Sequence, residues 1–147
     1  MRRITIIALL CLCAGFLAAQ SEADGFILWI DQGMGYGGPD RAGFLIEEGL
    51  FGQYKDGNLS LVGALDLDWR LLDGLALPLQ LGAGWLVARS DYFYHSIFAL
   101  AGWDFVTGRF CWQAHWRMLG PLACYGTLGW DRGLRLLFGV SFGFKLS

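Results

Sequence analysis

Lysine is nearly missing from this 147-residue chain: only Lys55 and Lys145 are present, and the formal net charge is −2. With no basic patch, nucleic acid is excluded as a partner class. Proline is also scarce, at three residues, and no Pro- or Ser-rich linker or low-complexity stretch divides the chain. One domain is therefore expected. Of the four cysteines, Cys11 and Cys13 fall in the first apolar segment. Cys111 and Cys124 alone are too few for a disulfide framework. Beyond that first segment no apolar run approaches the roughly 20 residues of a spanning helix.

The first segment has its own logic. Arg2 and Arg3 precede a thirteen-residue apolar stretch, Ile4 to Phe16, and small residues follow. A charged start, a short apolar run and small-x-small sites at Ala19-x-Ser21 and Ser21-x-Ala23 describe an export signal, residues 1–23, cleaved before Glu22 or Asp24. Leu10 and Leu12 stand where a lipidated cysteine would follow a small residue, so lipidation is not expected. The mature domain, 24–147, is left without its two leading arginines.

What remains is rich in glycine (22) and aromatics, with seven Trp, eleven Phe and five Tyr. From Leu59 to Leu71 the odd positions read Leu59, Leu61, Gly63, Leu65, Leu67, Trp69, Leu71, and the even positions Ser60, Val62, Ala64, Asp66, Asp68, Arg70. This period-two pattern is that of a strand between two different media. Turns punctuate similar segments. Leu72-Asp73-Gly74, Val106-Thr107-Gly108 and Asp131-Arg132-Gly133 read as three-residue loops ending in a left-handed glycine. Asp56-Gly57 reads as a two-residue type I′ turn. Gly37-Gly38-Pro39-Asp40, Arg89-Ser90-Asp91 and Leu119-Gly120-Pro121 complete seven turns. They delimit eight strands, at 26–36, 42–54, 59–71, 75–88, 92–105, 109–118, 122–130 and 134–146. Pairing Leu71 with Leu75, Met118 with Leu122 and Trp130 with Leu134 joins the apolar faces into one surface, which a one-residue slip would break.

The opposite face carries Ala64, Gly82, Gly84, Ala99, Ala101, Gly129, Gly139, Ser141 and Gly143 with scattered charges. A water-facing sheet would show Lys, Glu and Thr, whereas small residues suit the crowded lumen of eight strands. Trp69, Trp85, Trp116, Trp130, Tyr92 and Tyr94 near strand ends fit interfacial girdles. The expected fold is thus all-β, an eight-stranded antiparallel up-and-down transmembrane β-barrel with short loops and its apolar side outward. A soluble secreted barrel around an apolar ligand is the alternative. Glu47-Glu48 conflicts with strict alternation, since one of the pair meets lipid unless a bulge turns both inward.

On strand count, alternation and girdles the mature chain resembles the small eight-stranded outer-membrane proteins of the OmpA transmembrane domain and OmpX class. The resemblance implies an outer-membrane location, contact with outer-membrane lipid, and biogenesis through periplasmic chaperones and the barrel-assembly machinery. That machinery reads a last strand alternating as Phe138, Val140, Phe142, Phe144 and Leu146 do here; this chain ends in Ser147 where the family usually ends in Phe.

Inward parity gives a polar lumen of Asp31, one or both of Glu47 and Glu48, Asp66, Asp68, Arg70, Gln80, His95, Gln113, His115, Arg117, Tyr125, Thr127, Arg135, Ser141 and Lys145, with His115 opposite Tyr125 and Gln113 opposite Thr127. Mixed acids and bases describe a self-neutralising network; the functional counterpart is a narrow ion or proton path. Lipid-A deacylases of this architecture would place His-x-Ser on one strand face. Here His95 and Ser96 are adjacent and point apart, and His115 is followed two residues on by Arg117. A nucleophile needs its base within hydrogen-bond reach, so neither catalytic residues nor a cofactor or metal site is expected. Long outer loops, where such barrels usually hold binding chemistry, are missing as well. The expected role is a structural, envelope-maintaining barrel; a narrow pore and a lipid-modifying acyl hydrolase are the alternatives.

Overall fold

Strand after strand in this chain hydrogen-bonds to its sequence neighbours, and the last returns to the first. The computed structural model describes residues 24–37, 43–70, 74–90, 93–120, 123–130 and 133–146. The expected export signal, residues 1–23, and parts of several expected turns lie outside the described residues. Eight strands form the wall: β1 (Gly25–Gly37), β2 (Gly43–Asp56), β3 (Leu59–Arg70), β4 in two segments (Gly74–Ala76 and Pro78–Arg89), β5 (Tyr94–Asp104), β6 (Arg109–Leu119), β7 (Cys124–Trp130) and β8 (Leu134–Leu146). All pairings are antiparallel, and the Phe26↔Leu146 end of the β1–β8 ladder closes the barrel.

The register fixes the barrel's size. Stepping across paired residues from Phe26 passes Tyr54, Leu61, Ala83, Ala99, Ala114, Leu128 and Leu136, and arrives back on β1 at Tyr36. The return lands ten residues along the starting strand. Eight strands with that stagger tilt by about 40° and enclose a backbone radius of about 8 Å, enough for side chains and little else.

Polarity is inverted relative to a soluble protein. Leu81 is 71 % exposed, Trp69 63 % and Phe138 59 %, whereas Asp68 is 0 % and Arg117 1 % exposed. The predicted eight strands and the outward apolar face are those of the structure. Several details differ. Leu75 pairs with Trp69, not Leu71, and Met118 pairs with Cys124, not Leu122. Both ladders slide by two residues, a full pleat repeat that leaves every side chain on its predicted face. His115 therefore stands opposite Thr127 and Gln113 opposite Gly129.

Two turns also differ. Asp56 pairs with Leu59, so the β2–β3 loop is Gly57-Asn58. Only Gly57 has a positive φ, +58°, as a type II′ turn requires at its first central position. The β5–β6 connection holds four residues, Phe105 to Gly108, because Asp104 pairs with Arg109. Gly108 is left-handed there, φ +66°, and its N–H bonds the Asp104 carbonyl at 2.8 Å. Asp104 supports the loop with Oδ1 accepting from the Leu77 and Val106 amides, each at 3.0 Å.

β4 is interrupted at Leu77. The ladder to β3 resumes only at Leu79, opposite Leu65. Leu77 directs its amide to Asp104 Oδ1 and its carbonyl to Phe105 N, toward β5. The next residue is therefore the one facing β3, and it is Pro78, which has no N–H to give.

Candidate functional site

The lumen concentrates the chain's polar chemistry, and strand parity places each member. Asp31 on β1, Glu47 on β2, and Asp66, Asp68 and Arg70 on β3 point inward and are buried. Across from them, Gln113, His115 and Arg117 on β6, Tyr125 and Thr127 on β7 and Arg135 on β8 are buried too. The four acids thus line one wall, β1–β3, and face Arg117 and Arg135 on the other, β6–β8. Glu47 faces in and Glu48 out, with no bulge in β2.

The two walls are cross-linked. Arg117 Nη2 is paired with Asp31 Oδ2. Arg135 grips Asp68 with both terminal nitrogens, Nη1 to Oδ2 at 3.0 Å and Nη2 to Oδ1 at 3.2 Å, and Nη2 also meets Glu47 Oε2. Tyr125 donates its hydroxyl to Glu47 Oε1 at 2.9 Å, and Gln113 Nε2 donates to Asp66 Oδ2 at 3.4 Å. Arg70 Nη2 lies 3.6 Å from Asp68 Oδ2. Such charge-assisted, forked contacts are the strongest way to hold ions in a low-dielectric interior.

Beside the charges, aromatic rings pack across the lumen. The Arg117 guanidinium sits 4.2 Å above Phe51 and 4.6 Å above Trp29. His115 is sandwiched between Phe51 (4.9 Å) and Tyr125 (5.1 Å). Phe98 meets Phe51 edge-on at 5.2 Å. Trp29 Nε1 donates to Gln53 Oε1 at 3.0 Å, and Gln53 passes a bond to Ser60 at 2.9 Å. Inward glycines admit these bulky groups: a Cβ on Gly143 would strike the Trp29 ring, and one on Gly84 the Phe98 ring.

Not every expected lumen residue joins. Lys145 is exposed at the terminal rim, one residue from the last strand position, where the wall no longer encloses it. His95 faces outward and stacks on Trp116 at 5.8 Å. The register shift between Leu86 and Ala88 accommodates one extra residue beside it. Ala99 and Ala101 likewise face outward, so that Phe98, Leu100 and Asp104 point in. Of the apolar half of the lumen, Val62 shares the inward face expected for β3, whereas Ile27, Trp29, Phe51, Phe98 and Leu100 were not anticipated there. Its signal was available: Trp29 lies two residues before Asp31 and Phe51 four after Glu47, on the same faces.

His115 Nδ1 faces Thr127 Oγ1 at 3.3 Å. Both groups are buried, and the His115 ring lies between those of Phe51 and Tyr125. Cys111 is buried in the lumen against Gln80 Nε2 at 3.5 Å, Cys124 belongs to the outer face, and no disulfide joins them.

No protein-family model matches the chain, and no curated protein matches it. Among solved structures, one described as the de novo design of transmembrane beta-barrels superposes with a TM-score of 0.58. The match covers 84 % of this chain and 98 % of that one at 15 % identity. The likeness is one of fold: a closed, up-and-down barrel of the transmembrane class, in keeping with the resemblance to small eight-stranded membrane barrels.

Proposed function

We propose that this chain is a small integral protein of the bacterial outer membrane with a structural, envelope-maintaining role and a lumen sealed by its own side chains. One observation carries the reading: the wall buries carboxylates and guanidinium groups and exposes a belt of leucine, phenylalanine and tryptophan. Lipid rewards that arrangement and water penalises it. A soluble barrel around an apolar ligand would need the reverse. Short connections support a role that works through lipid contact, with no catalysis and no cofactor. Export by the leader, chaperone escort and insertion by the assembly machinery complete the proposal; β8, with Phe138, Phe144 and Leu146 outward, offers the alternating signal.

The test is a gel of boiled and unboiled membrane fractions. A compact, faster band found only in the unboiled outer-membrane sample is the expected result. A soluble periplasmic protein without a shift would refute the reading. His115→Ala is expected to leave lipid-A acylation unchanged; a changed acylation pattern would favour an acyl hydrolase instead.

A narrow path is the second reading, favoured by one observation. Arg117 Nε and Nη1, Gln113 Oε1 and His115 Nε2 are buried without a hydrogen-bond partner among the described residues, and such groups attract water. Single-channel recording on wild type and on Arg70 and Arg117 variants separates the readings: a sealed barrel stays silent in all three.

A further inference from the structure

The outward face breaks its own rule at one place. Gln32 and Glu48 are the eighth residue of the 13-residue β1 and the sixth of the 14-residue β2, close to mid-height in the wall. They are directly paired across the β1–β2 ladder, and both are exposed. Their flanking partners are Val140 on β8 and Leu67 on β3. Elsewhere the described outward positions carry aliphatic and aromatic side chains, glycine and alanine, with Cys124 and, toward the terminal rim, Asp56 and His95. An amide and a carboxyl group side by side in such a belt are costly in lipid unless something hydrogen-bonds to them.

Beside the pair the wall is notched. A hollow of about 310 Å³ lies there, reaching from Ile30 and Leu50 to Leu65 and Leu77 and lined also by Gln32 and Glu48. A hollow of this size admits side chains from an apposed surface.

We infer that Gln32, Glu48 and this notch form a dimerisation face, occupied by a second copy of this chain in the same membrane. Symmetry favours that occupant, given that the chain is a membrane barrel. Two copies inserted in one orientation relate by a two-fold axis along the membrane normal. An axis passing between β1 and β2 reverses the lateral order of the pair, so Gln32 of one copy meets Glu48 of the other, twice. Strand tilt offsets the two positions in height by about 3 Å, a distance their long side chains span. Each Gln amide donates and each carboxyl accepts, so the pair is complementary to itself where two acids or two amines would not be. Polar side chains join membrane segments in this way.

The experiment is energy transfer between donor- and acceptor-labelled full-length protein in phosphatidylcholine vesicles, titrated by dilution with lipid. Wild type is expected to dimerise. Glu48→Leu and Gln32→Leu are each expected to weaken association roughly tenfold, whereas Glu48→Gln, which keeps a hydrogen-bonding pair, stays within about threefold. A wild type that transfers no more than randomly dispersed labels overturns the inference, as do leucine variants that associate like wild type or a Glu48→Gln that fails like Glu48→Leu. Dimers dispersed by added phosphatidylethanolamine would make a lipid amine the partner of Glu48 and also overturn it. The boiled-versus-unboiled shift on the same samples separates the two claims. A shifted but monomeric protein refutes the dimer alone, and an unshifted one refutes the membrane barrel.

Discussion

Arg135 on β8 holds Asp68 on β3 through two parallel contacts, at 3.0 and 3.2 Å, and shares one of those nitrogens with Glu47 on β2. One guanidinium thus ties two acids of the N-terminal wall to the last strand, beside the seam where β8 meets β1. Removing it would leave Glu47 and Asp68 buried with their main counter-charge gone. Arg135→Met is expected to lower the stability of the folded barrel by about 3–5 kcal/mol, measured as the urea midpoint of the gel-shifted form. The triple variant Arg135→Met, Glu47→Gln, Asp68→Asn should recover much of that loss.

Space inside the lumen is committed as tightly as charge. Gly143 lies against the Trp29 ring with no room for a Cβ, while Ala99 is exposed on the outer face. Gly143→Val is expected to destabilise the barrel by about 1–3 kcal/mol or more through overpacking. Ala99→Val, the same kind of enlargement on the lipid side, should be close to neutral. Paired unfolding curves decide this, and equal effects at the two sites would contradict the assignment of faces.

The β5–β6 loop depends on one carboxylate. Asp104 Oδ1 accepts from Leu77 N, Val106 N and, at 3.4 Å, Thr107 N, and Oδ2 accepts from the Thr107 hydroxyl at 2.5 Å. Asp104→Ala is expected to cost about 2–4 kcal/mol, since several modest bonds are lost together and part-buried amides are left without acceptors. Faster hydrogen exchange should be confined to Leu77, Val106 and Thr107, with the opposite rim unchanged.

Much of this was legible in the sequence, for a definable reason. Alternation fixes which face a residue takes, so Asp31, Asp66, Asp68, Arg70, Gln113, His115, Arg117, Tyr125 and Arg135 could all be assigned inward from parity. Alternation fixes register only to within two residues. The slides at Trp69↔Leu75 and Met118↔Cys124 are invisible to it because they preserve every face. His95, Ala99 and Ala101 escaped together, because the whole of β5 presents its alanines to the outside and Phe98 and Leu100 to the lumen, the reverse of the small-inside pattern. The gap at Pro78 could have been anticipated, since proline within a strand that has no free edge must break a ladder bond. Only Arg70 beside Asp68, two residues apart on one face of β3, could have been read as a pair. The other acid–base contacts span the lumen between strands two or three apart in the ring, and no local pattern encodes that distance.

The central claim is that charge lies inside and the aromatic belt meets lipid. Trp29 and Trp112 test it together, because Trp29 is fully buried in the lumen and Trp112 is 44 % exposed on the outer face. In vesicles of lipid brominated along the acyl chains, a variant keeping Trp112 as its single tryptophan should lose fluorescence strongly. One keeping only Trp29 should stay bright. Strong quenching of Trp29 with Trp112 spared would contradict the account and turn the barrel inside out.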